Sequence, residues 1–552
     1  MPGSAKSADA RRQTTNKCFI SLAGALRSAL VLRGFPDPMV AAYYQWLVLH
    51  TSLALLSALL LLLIFPKFDI HWLAPIALTP LLVALARTPI AWQRFAIGWA
   101  AGIFYWFFLC TWIQFVLEAH GGMGRWGGWA SFALFAVLKG LHLAVFSWLA
   151  GMLMNRAYAL PAVAALWTGL ERTHATFGFT WLDLGNAAID MSLPLRLAPF
   201  VGVYGLSFVF AMLSVAVACA ILRRPRRQLA PLLALPLLWL LPAVPENIKP
   251  TERALMVQPN VDADIDWTPE LQDKTERDLL ALSDAAPLRL VIWPELPAPL
   301  YYYDDANFRH EADTIAATHG YFLFGTVAYT ADHRPLNSAV LLGPNGEVGR
   351  YDKIGLVPFG EYVPPVFSFV NRVTHEAGDF VSGETIKVLP VGEQKLGVFI
   401  CYEAAFPDLV RQFAAAGANV LVNLSNDGYF GHSEARAQHL LIARMRAVEN
   451  RRYLIRSTND GLSAIVDPSG KIVQSIPPFR QLAAIIRYAT VSDVTFYSRH
   501  GDWFAWGCLT VAVGLCFVRY TRSSNELVKK LRSLPYHAAF RRKNQASKRV
   551  IE

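Results

Sequence analysis

Charged residues are scarce in this sequence of 552 residues. Asp, Glu, Lys and Arg make up 17% of it and hydrophobic residues 54%, whereas a soluble globular domain carries ~25% charged residues. The apolar residues also occur in long blocks. This composition excludes a wholly soluble protein and predicts an integral membrane protein with a soluble part.

Several motifs of common ligand-binding folds are also missing. There is no P-loop, no glycine-rich dinucleotide fingerprint and no internal repeat, so nucleotide chemistry is not predicted. The six cysteines include no C-x-x-C pair, and neither a zinc site nor any cofactor is expected. The basic residues do not follow the aromatic-interleaved pattern of a nucleic-acid groove, which argues against nucleic acid as a partner.

Eight apolar segments predict transmembrane helices. A helix needs ~20 apolar residues to cross ~30 Å of hydrocarbon, and its backbone must be hydrogen-bonded internally because the bilayer core holds no water. In chain order the segments are 46–65, 71–86, 96–117, 129–154, 158–170, 197–222, 229–244 and 503–518.

Basic residues predict how these helices are oriented. With eight spans, Arg87, Arg94, Arg156 and the arginines within 223–227 all fall on the same side as both termini. The positive-inside rule assigns that side to the cytoplasm. The predicted divisions are a cytoplasmic extension (1–45), a seven-helix membrane part (46–244), an outward-facing soluble domain (245–502), an eighth membrane helix (503–520) and a basic cytoplasmic tail (521–552).

The outward-facing block has the mixed pattern of an α/β domain. Two turn signals, at 344–347 and 467–470, separate strand-like runs. Short apolar strands alternate with helical stretches: the strands include 254–257, 290–292, 321–327, 338–342 and 420–423, and the helices include 272–282 and 435–451.

Cys401 is the one cysteine of this block. An unperturbed thiol, with a pKa of ~8.5, is only slightly ionised at neutral pH, so a nucleophilic cysteine needs a base and a cation nearby. Glu295 and Lys353 each lie just past an apolar strand and can supply these groups. Alternatively, Cys401 is a small buried hydrophobe, Glu295 caps a helix and Lys353 is a solvated charge.

The segments 291–295, 351–362, 401–403 and 423–431 resemble the nitrilase, or carbon-nitrogen hydrolase, superfamily. The resemblance implies an αββα sandwich with a Glu-Lys-Cys triad. The predicted fold is therefore a bundle of eight transmembrane helices with an inserted αββα domain.

By this resemblance, Glu295 is the general base that takes the proton from Cys401. Lys353 would stabilise the thiolate and, together with a backbone N–H near residue 402, the tetrahedral oxyanion. Glu361 and Glu403 would be further carboxylates that orient Lys353 or an acceptor amine.

Taken nearly as a whole, the chain resembles the bacterial apolipoprotein N-acyltransferases. One departure is Tyr429, where the family leads us to expect tryptophan. Trp267, Tyr362 and Tyr402 would line an acyl or head-group cleft, although interfacial or core positions are equally compatible with these aromatic residues. The resemblance is carried by the order of the spans and by 178–182, 258–260, 267, 357–364 and 444–449.

The family works by a ping-pong reaction. The resemblance implies that Cys401 takes an acyl chain from a glycerophospholipid, typically phosphatidylethanolamine at sn-1, and passes it to the α-amine of a diacylglyceryl-cysteine on an apolipoprotein. It also implies a monomer in the bacterial inner membrane, with a periplasmic catalytic domain and cytoplasmic termini. Acyl chains then stay in the bilayer, which avoids a cost of ~0.8 kcal/mol for each CH₂ moved into water.

Two other functions remain open from the residues. A membrane-tethered amidase of the same superfamily would use water as the acceptor, although a single span would suffice as its anchor. A transporter or sensor with an inactive binding domain would be expected to carry charges within the membrane. Lys139 and Glu171 are the candidates for such charges.

Overall fold

The computed structural model describes residues 38–176, 179–245, 248–262, 265–358, 360–362 and 380–532. Residues 1–37 of the predicted N-terminal extension and 533–552 of the predicted basic tail lie outside the described residues.

Helices form the first half of the described chain. Three 3-10 helices cover His71–Ile76, Leu184–Ala188 and Arg226–Leu240. The α-helices are α1 (Pro38–Leu63), α2 (Thr79–Arg87), α3 (Ala91–Leu109), α4 (Trp112–Ala119), α5 (Gly124–Leu153), α6 (Ala159–Thr176), α7 (Ser192–Leu195) and α8 (Ala198–Ile221).

Within the described residues, four helices are long and apolar enough to cross a membrane, and α3 with α4 would add a fifth. A bend of 60° separates α3 from α4. The helical, apolar character of this region is confirmed, whereas the predicted number of eight spans is not. The four helices are Tyr43–Leu63, Gly124–Leu153, Ala198–Ile221 and Trp503–Arg522.

Segment 158–170 lies almost wholly in α6, an α-helix of 18 residues that is not among the four candidates. The other two predicted spans differ from long apolar α-helices for reasons visible in their residues. Segment 71–86 is divided into a 3-10 helix that contains Pro75 and the short α2. Segment 229–244 lies mostly in a 3-10 helix that contains Pro231 and Pro236. Proline has no N–H to donate and collides with the preceding turn, so it disfavours a continuous α-helix.

Two six-stranded sheets form the second half of the molecule, in the orders β12-β1-β2-β3-β4-β5 and β11-β10-β9-β8-β7-β6. The central pairs β1–β2–β3 and β7–β8–β9 are parallel, and the outer pairs are antiparallel. The first six strands are β1 (Glu252–Gln258), β2 (Leu290–Ile292), β3 (Tyr321–Tyr329), β4 (Pro335–Gly343), β5 (Gly346–Asp352) and β6 (Val388–Val391). The others are β7 (Gln394–Ile400), β8 (Val420–Ser425), β9 (Leu454–Thr458), β10 (Ala464–Val466), β11 (Ile472–Ser475) and β12 (Leu482–Tyr488).

Side-chain alternation along the strands builds two apolar layers. In β1, Ala254 and Met256 join the core that both sheets share, whereas Leu255 and Val257 face helices on the other side. Helices α9 (Pro269–Ser283) and α10 (Ala306–His319) cover that outer face. Helices α11 (Pro407–Ala415) and α12 (Ala435–Asn450) pack on the second sheet, which completes an αββα arrangement.

Helix α12 also joins the sheets to the helical region. It contacts both β9 and α8, and nearly all its side chains are buried. The Gln438 amide accepts a hydrogen bond from Trp181 Nε1 (2.7 Å) and donates one to the Pro66 carbonyl (3.0 Å). Two more helices, α13 (Phe496–His500) and α14 (Trp503–Arg532), follow the last strand, and α14 returns to pack on α6.

An interruption of the helical geometry of α8 allows a further hydrogen bond between the helical region and α12. Gly202 has a positive φ of 64° within the helix, and a Cβ there would lie 2.6 Å from the Tyr497 ring, so glycine suits this position. The N–H of Val203 is turned toward Glu449 of α12 and donates to its carboxylate at 2.8 Å. The two halves of the molecule are therefore joined through buried polar contacts.

Candidate active site

Cys401 lies where β7 ends and a 3-10 helix (Cys401–Ala405) begins. Its φ of 50° is in the left-handed region, which a residue with a side chain adopts at a cost on the order of 1–3 kcal/mol. The side chain is 7% exposed. Burial, followed by the charge of Glu295, raises the pKa of the Cys401 thiol, while Lys353 and a hydrogen bond from Ser425 lower it.

Lys353, which follows β5, is the cation of this site and is 1% exposed. Its Nζ donates to Oε1 of Glu295 at 3.0 Å and to Oε1 of Glu361 at 2.8 Å. Burial alone would lower the pKa of the ammonium, but Glu295, Glu361 and Cys401 raise it well above its ordinary value. Lys353 therefore stays protonated beside the thiol.

Asn337 on β4 was missed by the sequence reasoning. Its Nδ2 donates to Oε1 of Glu295 at 2.9 Å and to Oε1 of Glu361 at 2.6 Å. The second oxygen of each carboxylate accepts from the backbone, Glu295 from the Asn426 N–H (2.9 Å) and Glu361 from the Val357 N–H (2.8 Å). Asn337 precedes the predicted strand 338–342 and is followed by Ser338, so nothing in the local sequence singles it out for this role.

A sharp turn after β2 positions Glu295. The next residue, Leu296, has a positive φ of 38°. Strand β3 approaches this turn closely at Gly325, where a Cβ would lie 2.7 Å from Leu296 N and 2.8 Å from Glu295 Cα. Glycine is therefore required opposite the carboxylate.

Glu403 is fully buried and joins the segments that carry Lys353 and Cys401. One carboxylate oxygen accepts from the Ile354 N–H (2.7 Å), the Gly355 N–H (2.9 Å) and the Tyr351 hydroxyl (2.7 Å). The other accepts from the Ile400 N–H at 2.6 Å. Glu403 thus binds the backbone next to Lys353, unlike Glu361, which binds the ammonium itself.

Tyr402 connects the nucleophile's turn to the helical region. Its hydroxyl accepts from the Thr180 N–H and donates to the Thr180 carbonyl, both at 3.0 Å. Its ring stacks on Phe179 and Trp181, with centroids 6.0 and 6.2 Å away. The segment 179–182, part of the predicted outward loop, therefore contacts the residue that follows the nucleophile.

The other two predicted aromatic residues differ in their relation to this site. Tyr362 is close enough to Tyr402 that its charge contributes to raising the pKa of Tyr402, after burial and Cys110, against a backbone hydrogen bond from Thr180. Trp267 precedes α9 and is 36% exposed. Within the described part of the chain, its ring stacks on no other aromatic side chain.

Tyr429 lies at the outer edge of the site. Its side chain is 48% exposed, and its ring meets His120 of the helical region edge-on at 4.9 Å. Although about half of the residue is exposed, partial desolvation by the surrounding protein, followed by the charges of Glu295, Glu361 and Cys401, raises the pKa of Tyr429 to about 12. The residue that departs from the expected tryptophan therefore lies near the carboxylate pair.

Together these residues can carry out covalent acyl chemistry. A thiol, a carboxylate and an ammonium that its carboxylate partners keep protonated come together where strands from both sheets end, and all three side chains are buried. Among the described residues no cluster of three or more His, Cys, Asp or Glu side chains could hold a metal ion.

Known proteins resemble both halves of the chain. The carbon-nitrogen hydrolase family matches residues 255–495, and the apolipoprotein N-acyltransferase N-terminal domain matches residues 57–216. An amidase from Nesterenkonia sp. of known structure covers 46% of this chain and 93% of its own, with a TM-score of 0.34 and 20% identity.

Curated relatives match nearly the full length. The apolipoprotein N-acyltransferase of Geobacter metallireducens is 35% identical over 499 residues, which is 86% of this chain and 95% of the relative. That of Methylococcus capsulatus is 32% identical over 86% of this chain and 97% of its own. This chain belongs to the apolipoprotein N-acyltransferase family.

Proposed function

We propose that the protein transfers an acyl chain from a membrane glycerophospholipid to the N-terminal amine of a diacylglyceryl apolipoprotein, through a thioester on Cys401. The observation that carries this proposal is the contact between the Tyr402 hydroxyl and Thr180 (3.0 Å), which joins the nucleophile's turn to the apolar helical region. A thiol attached in this way to a membrane bundle can meet substrates whose chains remain in lipid.

In the first half-reaction, Glu295 takes the proton of Cys401 while the sulfur attacks the ester carbonyl of the donor, which we take to be phosphatidylethanolamine acylated at sn-1. The carbonyl oxygen becomes an oxyanion, stabilised by Lys353 and the Tyr402 N–H. The ester C–O bond then breaks, Glu295 returns the proton to the leaving oxygen, and a lysophospholipid departs from the thioester.

In the second half-reaction, the neutral α-amine of the acceptor attacks the thioester carbonyl. Glu295 takes one proton from the attacking nitrogen, the C–S bond breaks, and the same proton returns to sulfur. The products are an N-acylated lipoprotein and the free Cys401 thiol. Glu361 and Asn337 hold Lys353 and Glu295 in place through both halves, as their hydrogen bonds of 2.6–2.9 Å indicate.

Trp267, Tyr362, Tyr402 and Glu403 have supporting roles in this proposal. Tyr402 and Tyr362 form walls of the acyl cleft, and Trp267 contributes an exposed aromatic surface to the head-group or acceptor side. Glu403 keeps the Lys353 and Cys401 segments in register through its four hydrogen bonds. The enzyme acts as a monomer without a cofactor.

The membrane topology in this proposal keeps eight spans, with residues 245–502 in the bacterial periplasm and both termini in the cytoplasm. The predicted span 229–244 lies mostly in the 3-10 helix Arg226–Leu240, which has 15 residues and no buried side chain. A 3-10 helix rises ~2.0 Å per residue, so this segment is ~30 Å long, close to the hydrocarbon thickness. Its exposed Trp239 (66%) and Leu240 (79%) suit a lipid surface.

Mass spectrometry of the intact protein, and of its Cys401 peptide after digestion, tests the function. Protein in detergent micelles is incubated with phosphatidylethanolamine of a single acyl composition, without an acceptor. We expect one added acyl chain on the Cys401 peptide and an equal amount of lysolipid, and neither product with Cys401→Ala. An acceptor lipopeptide should then remove the acyl chain as an amide. Release of free fatty acid or turnover of simple amides, with no thioester, would support a tethered amidase instead.

A further inference from the structure

His439 on α12 lies directly beneath the nucleophile's backbone and is fully buried. Its Nε2 is 3.0 Å from the carbonyl oxygen of Cys401. The same oxygen also lies 3.4 Å from Nδ2 of Asn423 on β8. The Cys401 carbonyl is therefore held by two side chains that come from different elements and touch neither Glu295 nor Lys353.

Two charged groups set the orientation of the imidazole. Arg456 on β9 lies 3.1 Å from Nδ1 of His439 and binds both oxygens of Asp427 at 2.8 and 2.9 Å. Nδ1 also lies 3.3 Å from Oδ1 of Asp427. Because the Cys401 carbonyl can only accept, Nε2 carries the proton, and in the neutral imidazole Nδ1 accepts from the closer guanidinium. Nε2 then donates to the Cys401 carbonyl.

Helix α12 leaves His439 little freedom to move. Its neighbour Gln438 is bonded to Trp181 at 2.7 Å and to the Pro66 carbonyl at 3.0 Å, both in the helical region. The His439 ring packs against the rings of Trp181 and Phe430, with centroids 5.7 and 5.8 Å away. Two adjacent residues of α12 therefore contact different parts of the molecule. Gln438 binds the predicted membrane part, and His439 contacts the backbone carbonyl of Cys401.

The held carbonyl belongs to the peptide bond between Cys401 and Tyr402. A trans peptide is planar, and its C=O and N–H point in opposite directions. Fixing the Cys401 oxygen on the α12 side therefore turns the Tyr402 N–H away from α12. That N–H is at the first turn of the 3-10 helix Cys401–Ala405, where backbone donors have no acceptor within the helix.

We propose that His439 is a positioning residue for oxyanion stabilisation: by holding the Cys401 carbonyl, it aims the Tyr402 N–H at the oxygen that becomes negative during acyl transfer. It also stabilises the left-handed backbone of Cys401, whose φ is 50°. This inference rests on the proposed function. Arg456 acts one step further out, by donating to Nδ1 of the imidazole, and Asp427 holds the guanidinium in place.

Two reactions of the same sulfur separate this role from a general structural one. Acylation by phosphatidylethanolamine passes through an oxyanion, whereas alkylation by iodoacetamide is a direct displacement at carbon and forms none. Both need the thiol in place and its proton removed. We compare His439→Leu and His439→Phe, which lack the donor, with His439→Gln, whose amide can reach the carbonyl.

We expect acylation of Cys401 to fall on the order of 10²-fold in the two variants without a donor. Alkylation of the Cys401 peptide should stay within about twofold of the parent protein. His439→Gln should regain about tenfold in acylation. If neither variant without a donor can be purified folded, His439→Asn takes their place, because its amide is too short to reach the carbonyl.

Equal losses in acylation and alkylation, or acylation within about threefold of the parent in a folded variant without a donor, would overturn the inference. A parent protein that forms no thioester at all would instead contradict the proposed function. Failure of His439→Gln to recover acylation above His439→Leu would also count against a role through hydrogen bonding.

Discussion

Each half of the molecule contains a buried lysine, and the groups that surround the two ammonium groups differ. Lys353 of the sheet domain is 1% exposed and donates to the carboxylates of Glu295 and Glu361 at 3.0 and 2.8 Å. Lys139 of α5 is 6% exposed and donates to Nδ1 of His174 and to the Phe179 carbonyl, both at 2.8 Å. Its Nζ also lies 4.9 Å from the Trp106 ring centroid.

The different partners of Lys353 and Lys139 indicate different roles for the two lysines. Two carboxylates keep Lys353 charged, and that charge is available to a thiolate or an oxyanion. Lys139 is surrounded by neutral acceptors and by an aromatic face, which attracts a cation weakly. Its bond to Phe179 orders the segment whose next residue, Thr180, binds Tyr402. We interpret Lys139 as a support for the catalytic turn and not as part of a transport path.

The largest effect is expected from Lys353→Met. Removing one partner of a buried ion pair typically costs ~3–5 kcal/mol because the other charges stay buried and unpaired. Loss of an oxyanion donor costs a further ~10²–10³ in rate. We expect no measurable acyl transfer and a clearly lower midpoint of thermal unfolding, measured in detergent by intrinsic fluorescence.

A double variant sharpens this prediction. Adding Glu361→Gln to Lys353→Met removes one uncompensated carboxylate and should recover part of the thermal midpoint without restoring activity. If Lys353→Met alone unfolds at the same temperature as the parent protein, Lys353 is not the balanced buried cation described above.

An intermediate effect is expected from Asp427→Asn, which leaves Arg456 without its buried counter-charge. Burial alone would raise the pKa of Asp427, but Arg456 and His439 lower it below its ordinary value. A carboxylate whose pKa is lowered in the folded state stabilises the protein above its unfolded pKa of ~3.9, and this stabilisation is lost as the pH falls below that value.

The test is the thermal midpoint measured from pH 7 to pH 3. The parent protein should lose stability as the pH falls below about 4. Asp427→Asn should start lower at pH 7 and change less over the acid range. Parallel curves for the two proteins would show that the Asp427–Arg456 pair does not contribute this pH dependence.

The smallest effect is expected from Lys139→Met. Methionine fits an aromatic environment, and Lys139 forms no ion pair with a carboxylate in the described part of the chain, so the loss is limited to unpaired acceptors, about 1–3 kcal/mol. Acylation of Cys401 should fall less than tenfold, through a looser Phe179 segment. Lys139→Arg, which keeps the charge in a larger group, serves as the control in the same assay.

A loss of activity in Lys139→Met as large as that in Lys353→Met would remove the distinction between the two lysines. It would also reopen a direct role for an intramembrane charge. Measuring both variants in one preparation of mixed micelles makes their ratio independent of lipid composition.

Local patterns were enough to predict most of the strands that surround the candidate site. Glu295 and Cys401 each follow an apolar strand, and such strands deliver residues to the end of a sheet. Lys353 follows β5, which is largely polar and only partly buried. All five predicted strands lie within observed strands, and both turn signals separate paired strands. These features are readable because strand alternation and turn preferences act over a few neighbouring residues.

Whether an apolar segment forms an α-helix or a 3-10 helix was harder to predict from the sequence than its apolar character. The segment 229–244 has the composition of a span, yet its two prolines favour 3-10 geometry. Length and hydropathy indicate which segments prefer lipid. They do not determine whether a segment forms a long α-helix, because a few missing hydrogen bonds decide that.

The sequence by itself therefore determined that this chain combines an apolar helical region with a sheet domain and carries a thiol, a carboxylate and an ammonium suited to acyl transfer. Only the tertiary structure decided which distant side chains hold that group. Asn337 links Glu295 to Glu361, Glu403 holds backbone instead of Lys353, and His439 lies under Cys401. These contacts join residues far apart in the chain, and no local pattern encodes a distance that only the packing of two sheets and a shared helix creates.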